Sequence, residues 1–260
     1  LRELLTIKTG DIFNFQEVVS DIQTITDIYT DQGYAFANIN PVTKDFLDTV
    51  DVNIDISLNK KVYVNRITIS GNTRTQDEVI RREIGISEGG LYSRSALRDS
   101  VIKLRRLGYF SNVQMSASEI DNIPDKIDLN YVLEETKTGT ISVSVSHNNS
   151  FGFSLGAGIT EKNIFGSGNT FNADLRISES FNKLSFYFEN PYFNNNNHSI
   201  SYGAFISRLD DDDIMQDSYN INSKGLNLGY GVPLANNTRL NTKLEYSKHD
   251  IACGSSFSAS

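Results

Sequence analysis

The sequence has no tryptophan, two methionines, four prolines and a single cysteine. One thiol, Cys253, cannot close an internal disulfide, so no covalent cross-link holds this chain together. Its three histidines, His147, His198 and His249, fall far apart at the ends of alternating stretches. A metal site would need them clustered and supported by a second ring of hydrogen bonds, so they read as solvent-exposed turn residues. There is no initiator methionine and no signal-peptide pattern. The chain opens inside a helix-like segment, as a piece of a longer protein would. No apolar run approaches the roughly 20 residues of a membrane helix. That excludes a helix-spanning membrane protein but not a β-barrel, whose strands need only every second residue apolar. Basic charge is also short: 24 Lys and Arg against 32 Asp and Glu leave a net charge of −8. No nucleic-acid partner is expected, since one would favour a basic stripe. The hydrophobic share of 38% is low for a single tightly packed core.

What is present divides at a short join, Leu133-Glu134-Glu135-Thr136-Lys137-Thr138-Gly139-Thr140. Before it, helical and strand periodicities alternate and residues 1–135 carry 15 basic and 21 acidic side chains. After it, charge thins to 9 and 11 and no helical period is found. The boundaries read as residues 1–61, 62–136 and 137–260.

The first part contains one unit used twice. Gly33-Tyr34 overlies Gly108-Tyr109 at an offset of 75, and Val52, Ile54, Ile56 and Leu58 then fall on Ile127, Leu129, Tyr131 and Leu133. Val62–Ser70 reads as a strand. Thr75-Gln76-Asp77-Glu78 has capping-box spacing for a short helix to about Ile84, with Gly85 as a left-handed cap. Ser93 caps a second helix with Leu97, Val101 and Leu104 on one stripe, ended by Gly108. Val113–Ala117 and Lys126–Leu133 read as a hairpin across Asp121–Pro124. The order is β-α-α-β-β, and the two helices must cover one face of the three strands. In the first unit Asn14-x-x-Glu17 caps a helix carrying Val18, Ile22, Ile25 and Tyr29. Strands follow at about Ala37–Thr43 and Val50–Leu58, while the opening strand and most of the first helix are absent.

The last part has seven candidate strands: Thr140–His147, Phe151–Glu161, Asn169–Ser178, Lys183–Glu189, Ser199–Leu209, Asn220–Val232 and Thr238–Lys248. Each sets an apolar face against a small or polar one. Leu226, Leu228, Tyr230, Leu240, Leu244 and Tyr246, for example, oppose Asn227, Gly229, Gly231, Arg239, Lys243 and Glu245. Apolar-out, polar-in alternation over about ten residues is the signature of a membrane barrel. A soluble β-sandwich also alternates, but its strands usually run about 5–6 residues. Tyr192 and Phe193, beside Pro191, suit a lipid interface. The pattern stops in the Gly- and Ser-rich residues 254–260.

Little points to catalysis. Asp210–Asp213 lacks the regular spacing, turn glycine and closing glutamate of a calcium loop and reads as a solvated, acidic loop running to Ser218. Gly152, Gly156 and Gly158 are followed by no Lys-Ser/Thr and no helix, so they make no phosphate loop. No nucleophile–base pair is visible, and no enzyme activity and no cofactor are expected. Arg94, Arg98, Lys103, Arg105 and Arg106 make one helix basic, either as a solvated face or as a docking surface.

Two βααββ units joined to such strands resemble the BamA-like outer-membrane barrel-assembly family, with its polypeptide-transport-associated (POTRA) domains. The resemblance rests on Arg66-Ile67-Thr68-Ile69-Ser70-Gly71-Asn72-Thr73-Arg74-Thr75, Ile80-Arg81-Arg82-Glu83, Glu88-Gly89 and Leu104-Arg105-Arg106-Leu107-Gly108-Tyr109-Phe110. Beyond the join, Asn163-Ile164-Phe165-Gly166-Ser167-Gly168-Asn169 and Asn190-Pro191-Tyr192-Phe193 match the family's early barrel. It implies α+β POTRA repeats followed by antiparallel transmembrane strands of an incomplete barrel: a partial POTRA domain (1–61), a complete one (62–136) and the N-terminal portion of the barrel (137–260). The implied location is the bacterial outer membrane with POTRA domains in the periplasm. The implied function is folding and inserting β-barrel proteins, with unfolded outer-membrane proteins, assembly-machine lipoproteins and membrane lipid as partners. A related translocation or two-partner secretion transporter has the same domains, and a soluble peptide-binding module remains open if residues 140–260 form a sandwich. An unpaired strand edge offers backbone N–H and C=O groups to an extended client. The candidate edges are Val113, Met115 and Ala117 in the POTRA unit and Ile141, Val143 and Val145 in the first barrel strand. By resemblance, Arg81, Arg82, Glu83 and Glu88 lie where a partner lipoprotein docks.

Overall fold

The structure is a computed structural model that describes residues 2–148, 152–194, 196–211, 219–235 and 238–253. It divides into two compact units, Leu1–Thr73 with Asp77–Thr136, and Arg74–Gln76 with Lys137–Ser260.

The first unit opens with helix α1 (Phe15–Asp31). It starts at Asn14, whose side chain accepts from the Gln16 amide and donates to Glu17, satisfying orphan groups of the first turn. Its buried stripe is Val18 and Ile25. Strands β1 (Asn38–Phe46) and β2 (Thr49–Ser57) then pair as an antiparallel hairpin across Leu47-Asp48.

The rest of this unit is a β-α-α-β-β module: β3 (Tyr63–Ser70), α2 (Asp77–Arg81), α3 (Arg94–Arg106), β4 (Phe110–Ile120) and β5 (Ile123–Glu135). The strand order is β3-β5-β4, with β5 parallel to β3 and antiparallel to β4. Ile127, Leu129, Tyr131 and Leu133 of β5 form the floor of the core, and Val79, Ile80, Leu97 and Leu104 from the two helices close it. Each such side chain contributes about 1.5–3 kcal/mol by leaving water. Gly71 ends β3 at φ +87°, where a Cβ would stand 1.8 Å from the Leu133 carbonyl oxygen, so only glycine fits.

Three local expectations are corrected. Helix α2 stops at Arg81 and continues only as single turns, Glu83 N–H to Ile80 and Ile84 N–H to Arg81. Gly85 is not among the residues with positive φ; its N–H is instead held by Ser100 Oγ at 2.9 Å, so no left-handed cap is needed. The hairpin turn is tighter than Asp121–Pro124, because Ile120 pairs directly with Ile123 and Asn122 takes φ +63°. Pro124 therefore belongs to β5.

The second unit is one antiparallel meander of seven strands in chain order, β6 (Gly139–Asn148), β7 (Gly152–Ile164), β8 (Asn169–Ser178), β9 (Phe181–Asn190), β10 (Ser199–Asp211), β11 (Tyr219–Ala235) and β12 (Thr238–Cys253). The register keeps the two faces separate. One row across the sheet reads Ile141, Ile159, Ala173, Phe186, Ala204, Leu226, Tyr246. The adjacent row on the other face reads Thr140, Thr160, Asn172, Tyr187, Gly203, Asn227, Glu245. A slip of one residue in any strand would mix them. No second sheet covers the apolar face among the described residues; Leu155, Leu228 and Leu244 are bare. A sandwich would bury that face against a partner sheet, whereas a single curved wall turns it to lipid.

His147 and His249 lie within strands rather than in turns, because β6 and β12 run on to Asn148 and Cys253. His147 meets Phe153, and His249 bonds Ser223 and Ser247. His198 alone precedes its strand, with Nδ1 2.6 Å from the Tyr230 hydroxyl. Phe151 as a strand start, the turn residues Asn149 and Ser150, the acidic loop through Asp212, Asp213 and Ser218, and the terminal residues 254–260 lie outside the described residues.

Candidate functional site

The three-stranded POTRA sheet has two edges, and they are finished differently. Along β3 the segment Ser87–Tyr92 runs as a cover. The Val64 amide donates to Gly90, the Gly89 amide to the Val64 carbonyl, and the Tyr92 amide to the Val62 carbonyl. Ile67, one step further, has both backbone groups taken by side chains: its N–H by Glu88 Oε1 at 2.9 Å and its carbonyl by Arg81 Nη2 at 3.1 Å. Arg81 and Glu88 themselves approach to 3.8 Å. This clasp closes the β3 edge.

Strand β4 forms the other edge and pairs only with β5. Val113 is buried and Met115 packs against the core, so these side chains anchor the strand from the helix side; Ala117 is exposed. The Val113 carbonyl accepts from Arg105 Nη2 at 3.0 Å. The basic helix is thus partly engaged within its own unit. Arg105 serves β4, Arg94 pairs with Asp27 at 3.7 Å, and Arg98 lies in the field of Asp31.

The four charged residues assigned to a lipoprotein contact separate into two layers. Arg81 and Glu88 are about half exposed, at 44% and 49% of their side chains. Arg82 and Glu83 are tucked in, at 22% and 8%. Arg81 and Glu88 flank a hollow of about 600 Å³ whose floor is Ile67, Ile84 and Ile86. Sequence reasoning placed Arg81 and Glu88 near each other but missed the clasp on Ile67; acid and base seven residues apart, around a loop, were the only signal.

The two modules of the first unit are joined through Asp31. Its Oδ1 accepts from the Ser95 amide at 2.8 Å and the Ser93 hydroxyl at 2.9 Å. Burial acts to raise its pKa, but these hydrogen bonds and the Arg98 charge outweigh it and hold the carboxyl below its ordinary range. Burial pushes the Tyr131 and Tyr92 hydroxyls up. These groups are shifted by packing and capping. Among the described residues no three His, Cys, Asp or Glu side chains converge as metal ligands.

In the second unit β6 pairs among the described residues with β7 alone, which leaves its other edge open there. Ile141, Val143 and Val145 all project from the apolar face and are 69–78% exposed. Ser142, Ser144 and Ser146 lie opposite Gly158, Gly156 and Ser154 on the polar face. The start of the strand is fixed by Glu161, which accepts from the Thr138 hydroxyl and from the Asn163 amide.

A partial and a complete βααββ repeat followed by amphipathic meander strands define a class, the POTRA-bearing outer-membrane barrels. Residues 1–58 and 62–136 match the POTRA family, described as surface antigen variable number repeat, and residues 163–256 match the Omp85 superfamily domain. The chain belongs to this POTRA–Omp85 family. It is 35% identical over 249 residues to the outer membrane protein assembly factor BamA of Neisseria meningitidis serogroup B, covering 93% of this chain and 31% of that protein. It is 32% identical to BamA of Nitratidesulfovibrio vulgaris, covering 81% of this chain and 27% of that one. The crystal structure of BamA from Haemophilus ducreyi lacking POTRA domains 1–3 superposes with a TM-score of 0.84 at 26% identity, over 96% of this chain and 48% of that one. The chain thus spans about a third or less of these two curated relatives. Family membership puts its strands in the bacterial outer membrane and its POTRA domains in the periplasm.

Proposed function

We propose that this chain is part of an outer-membrane assembly factor that folds and inserts β-barrel proteins by lending strand edges to them. Residues 1–61 act as a partial POTRA domain, 62–136 as a complete one and 137–260 as the N-terminal portion of the barrel. The observation that supports the reading is two open edges in two sheets: β4 in the POTRA sheet, whose other edge, β3, is clasped shut, and β6 in the barrel sheet. An unfolded outer-membrane protein arrives extended, with the same unpaired N–H and C=O groups. β4, around Val113, Met115 and Ala117, adds such a strand to the POTRA sheet. β6, with Ile141, Val143 and Val145 outward, then templates it at the barrel wall. Strand addition exchanges hydrogen bonds and breaks no covalent bond, so no catalytic residue, cofactor or nucleotide is required.

A lipoprotein of the assembly machine docks over the hollow beside Ile67, with Arg81 and Glu88 as the charges it meets. Arg82 and Glu83 support that surface from beneath. Membrane lipid faces the apolar rows of the barrel wall.

Because β6 carries Ser142, Ser144 and Ser146 and no large aromatic between Ile141 and Val145, cross-strand packing at its seam is modest, about 0.2–1 kcal/mol per pair. The test uses the full-length parent protein carrying Cys253→Ser, with Ser144→Cys and a second cysteine on the strand that faces β6. Oxidation should stop client insertion into vesicles and reduction should restore it. Normal insertion by the locked protein would remove β6 as the gate.

A further inference from the structure

The outward face of the barrel wall carries a patch that its lipid-facing role does not require. Near the ends of β10, β11 and β12, the outward positions change from apolar to charged: Arg208, Asp210, Lys224, Lys248 and Asp250, three cations against two carboxylates. Lys224 and Lys248 are direct cross-strand partners. Two like charges so placed repel each other and destabilise the sheet. Lys248 is relieved by Asp250 at 2.9 Å, and Arg208 by Asp210 at 2.7 Å. Lys224 has no salt bridge within 4 Å among the described residues, and shares the field of Asp250 with Lys248. In a chain of net charge −8, this is a local surplus of positive charge on a membrane face.

Directly beside the two lysines the sheet is hollowed into a groove of about 460 Å³. Its outward lining is Leu184, Phe186, Ala204, Ile206, Leu226 and Tyr246. The groove crosses four neighbouring strands, β9 to β12. At about 4.8 Å per strand it is some 14 Å wide, room for several acyl chains side by side. Its charged end is also the outer one. β6 starts at Gly139, three residues after the POTRA domain ends at Thr136, so strand starts of β6, β8, β10 and β12 are periplasmic. Lys248 near the end of β12 and Arg208 near the end of β10 therefore lie at the outer leaflet.

We propose that this patch is a binding site for a phosphorylated, multi-acyl glycolipid of the outer leaflet. The phosphate sits between the Lys224 and Lys248 ammonium groups, where it removes their repulsion and forms charge-assisted hydrogen bonds. The acyl chains lie down the groove from Leu226 and Tyr246 toward Leu184 and Phe186. The site rests on the assignment of this face to lipid.

The full-length parent, folded and purified, is exposed to a bis-phosphorylated hexa-acyl glycolipid, to its dephosphorylated form or to phosphatidylglycerol, and retained lipid is counted by native mass spectrometry. Lys224→Gln with Lys248→Gln should cut retention of the phosphorylated glycolipid roughly fivefold per lysine, about 25-fold together. Lys224→Arg with Lys248→Arg should retain it, which separates loss of charge from loss of fold. Equal retention of the dephosphorylated lipid, or of phosphatidylglycerol, would overturn the proposal, as would unchanged retention in the Gln pair. The charge-matched inner pair Lys183→Gln with Lys243→Gln should change nothing. Loss there, with none at the outer pair, would overturn the face assignment itself rather than the lipid site alone.

Discussion

Leu228→Arg and Asn227→Arg place the same charge at adjacent positions of β11, and the structure assigns them opposite solvents. Leu228 stands in an outward row between Tyr202 and Leu244, and Asn227 in an inward row between Gly203 and Glu245. The first outward charge on β11 is Lys224, four residues away. At ~3.4 Å per residue and a strand tilt of about 40°, Leu228 sits roughly 10 Å deeper than Lys224, close to the middle of an apolar band ~25 Å tall. Arginine at that depth costs about 2–4 kcal/mol, a shift of roughly 30-fold to several hundred-fold in the folding equilibrium. At position 227 the new guanidinium meets Glu245 across the strand pair and Asp174 on the same inner surface. The cost there should stay within about 1 kcal/mol. The assay is urea-dependent folding of the full-length parent into lipid vesicles. Equal destabilisation by the two substitutions, or a larger effect at Asn227, would reject the assigned faces and with them the barrel reading of this sheet.

Three further outcomes are expected of the unit formed by residues 1–136. Leu104→Ala removes a fully buried side chain between α3 and the sheet and should cost about 2–5 kcal/mol in urea unfolding. Gly71→Ala should be at least as severe, since the added Cβ would overlap the Leu133 carbonyl at a φ of +87° that alanine disfavours; a melting point within a degree or two of wild type would contradict this. Asp31 has a folded pKa below its ordinary 3.8, so its contribution is complete above that value and is lost as pH falls through the folded pKa. Asp31→Asn should flatten the acid limb of a pH titration of stability and leave the neutral limb lowered throughout.

Much of the fold was legible because it is written in periodicity. Ile141, Val143 and Val145 alternating with serines can satisfy only a two-faced wall, and all seven stretches with that pattern became strands. The repeat offset of 75 was legible because the same alternating apolar positions, Val52 to Leu58 and Ile127 to Leu133, recur, although the second set is buried while Val52, Ile54 and Leu58 are half-buried and Ile56 is exposed. Details set by tertiary contact were not legible. Gly85 sits where a helix cap is common, yet Ser100, fifteen residues on, supplies its hydrogen bond. His147 and His249 looked like turn residues because strand ends depend on pairing with neighbours, and β6 and β12 are carried further by β7 and β11.

The candidate site is harder to read than the fold, for a reason that follows from its chemistry. A catalytic site names itself through side chains that few other tasks need. In the proposed strand addition the working groups would be backbone N–H and C=O, which every residue but proline offers, and what matters is which of them stay unpaired. That depends on strand order. Residues 113–117 read as a candidate edge in the sequence, but it is the place of β5 between β3 and β4 that makes β4 one. Residues 63–70 gave no sign of being a closed edge until Arg81 and Glu88 were seen on Ile67. The clasp has a consequence for the charged surface. If Arg81 and Glu88 hold the β3 edge shut, a lipoprotein that pulls on either residue also loosens Ile67. If a lipoprotein docks at the hollow as proposed, docking and access to the β3 edge would be coupled through these two side chains, and the partner would change how many edges the POTRA sheet presents without touching β4.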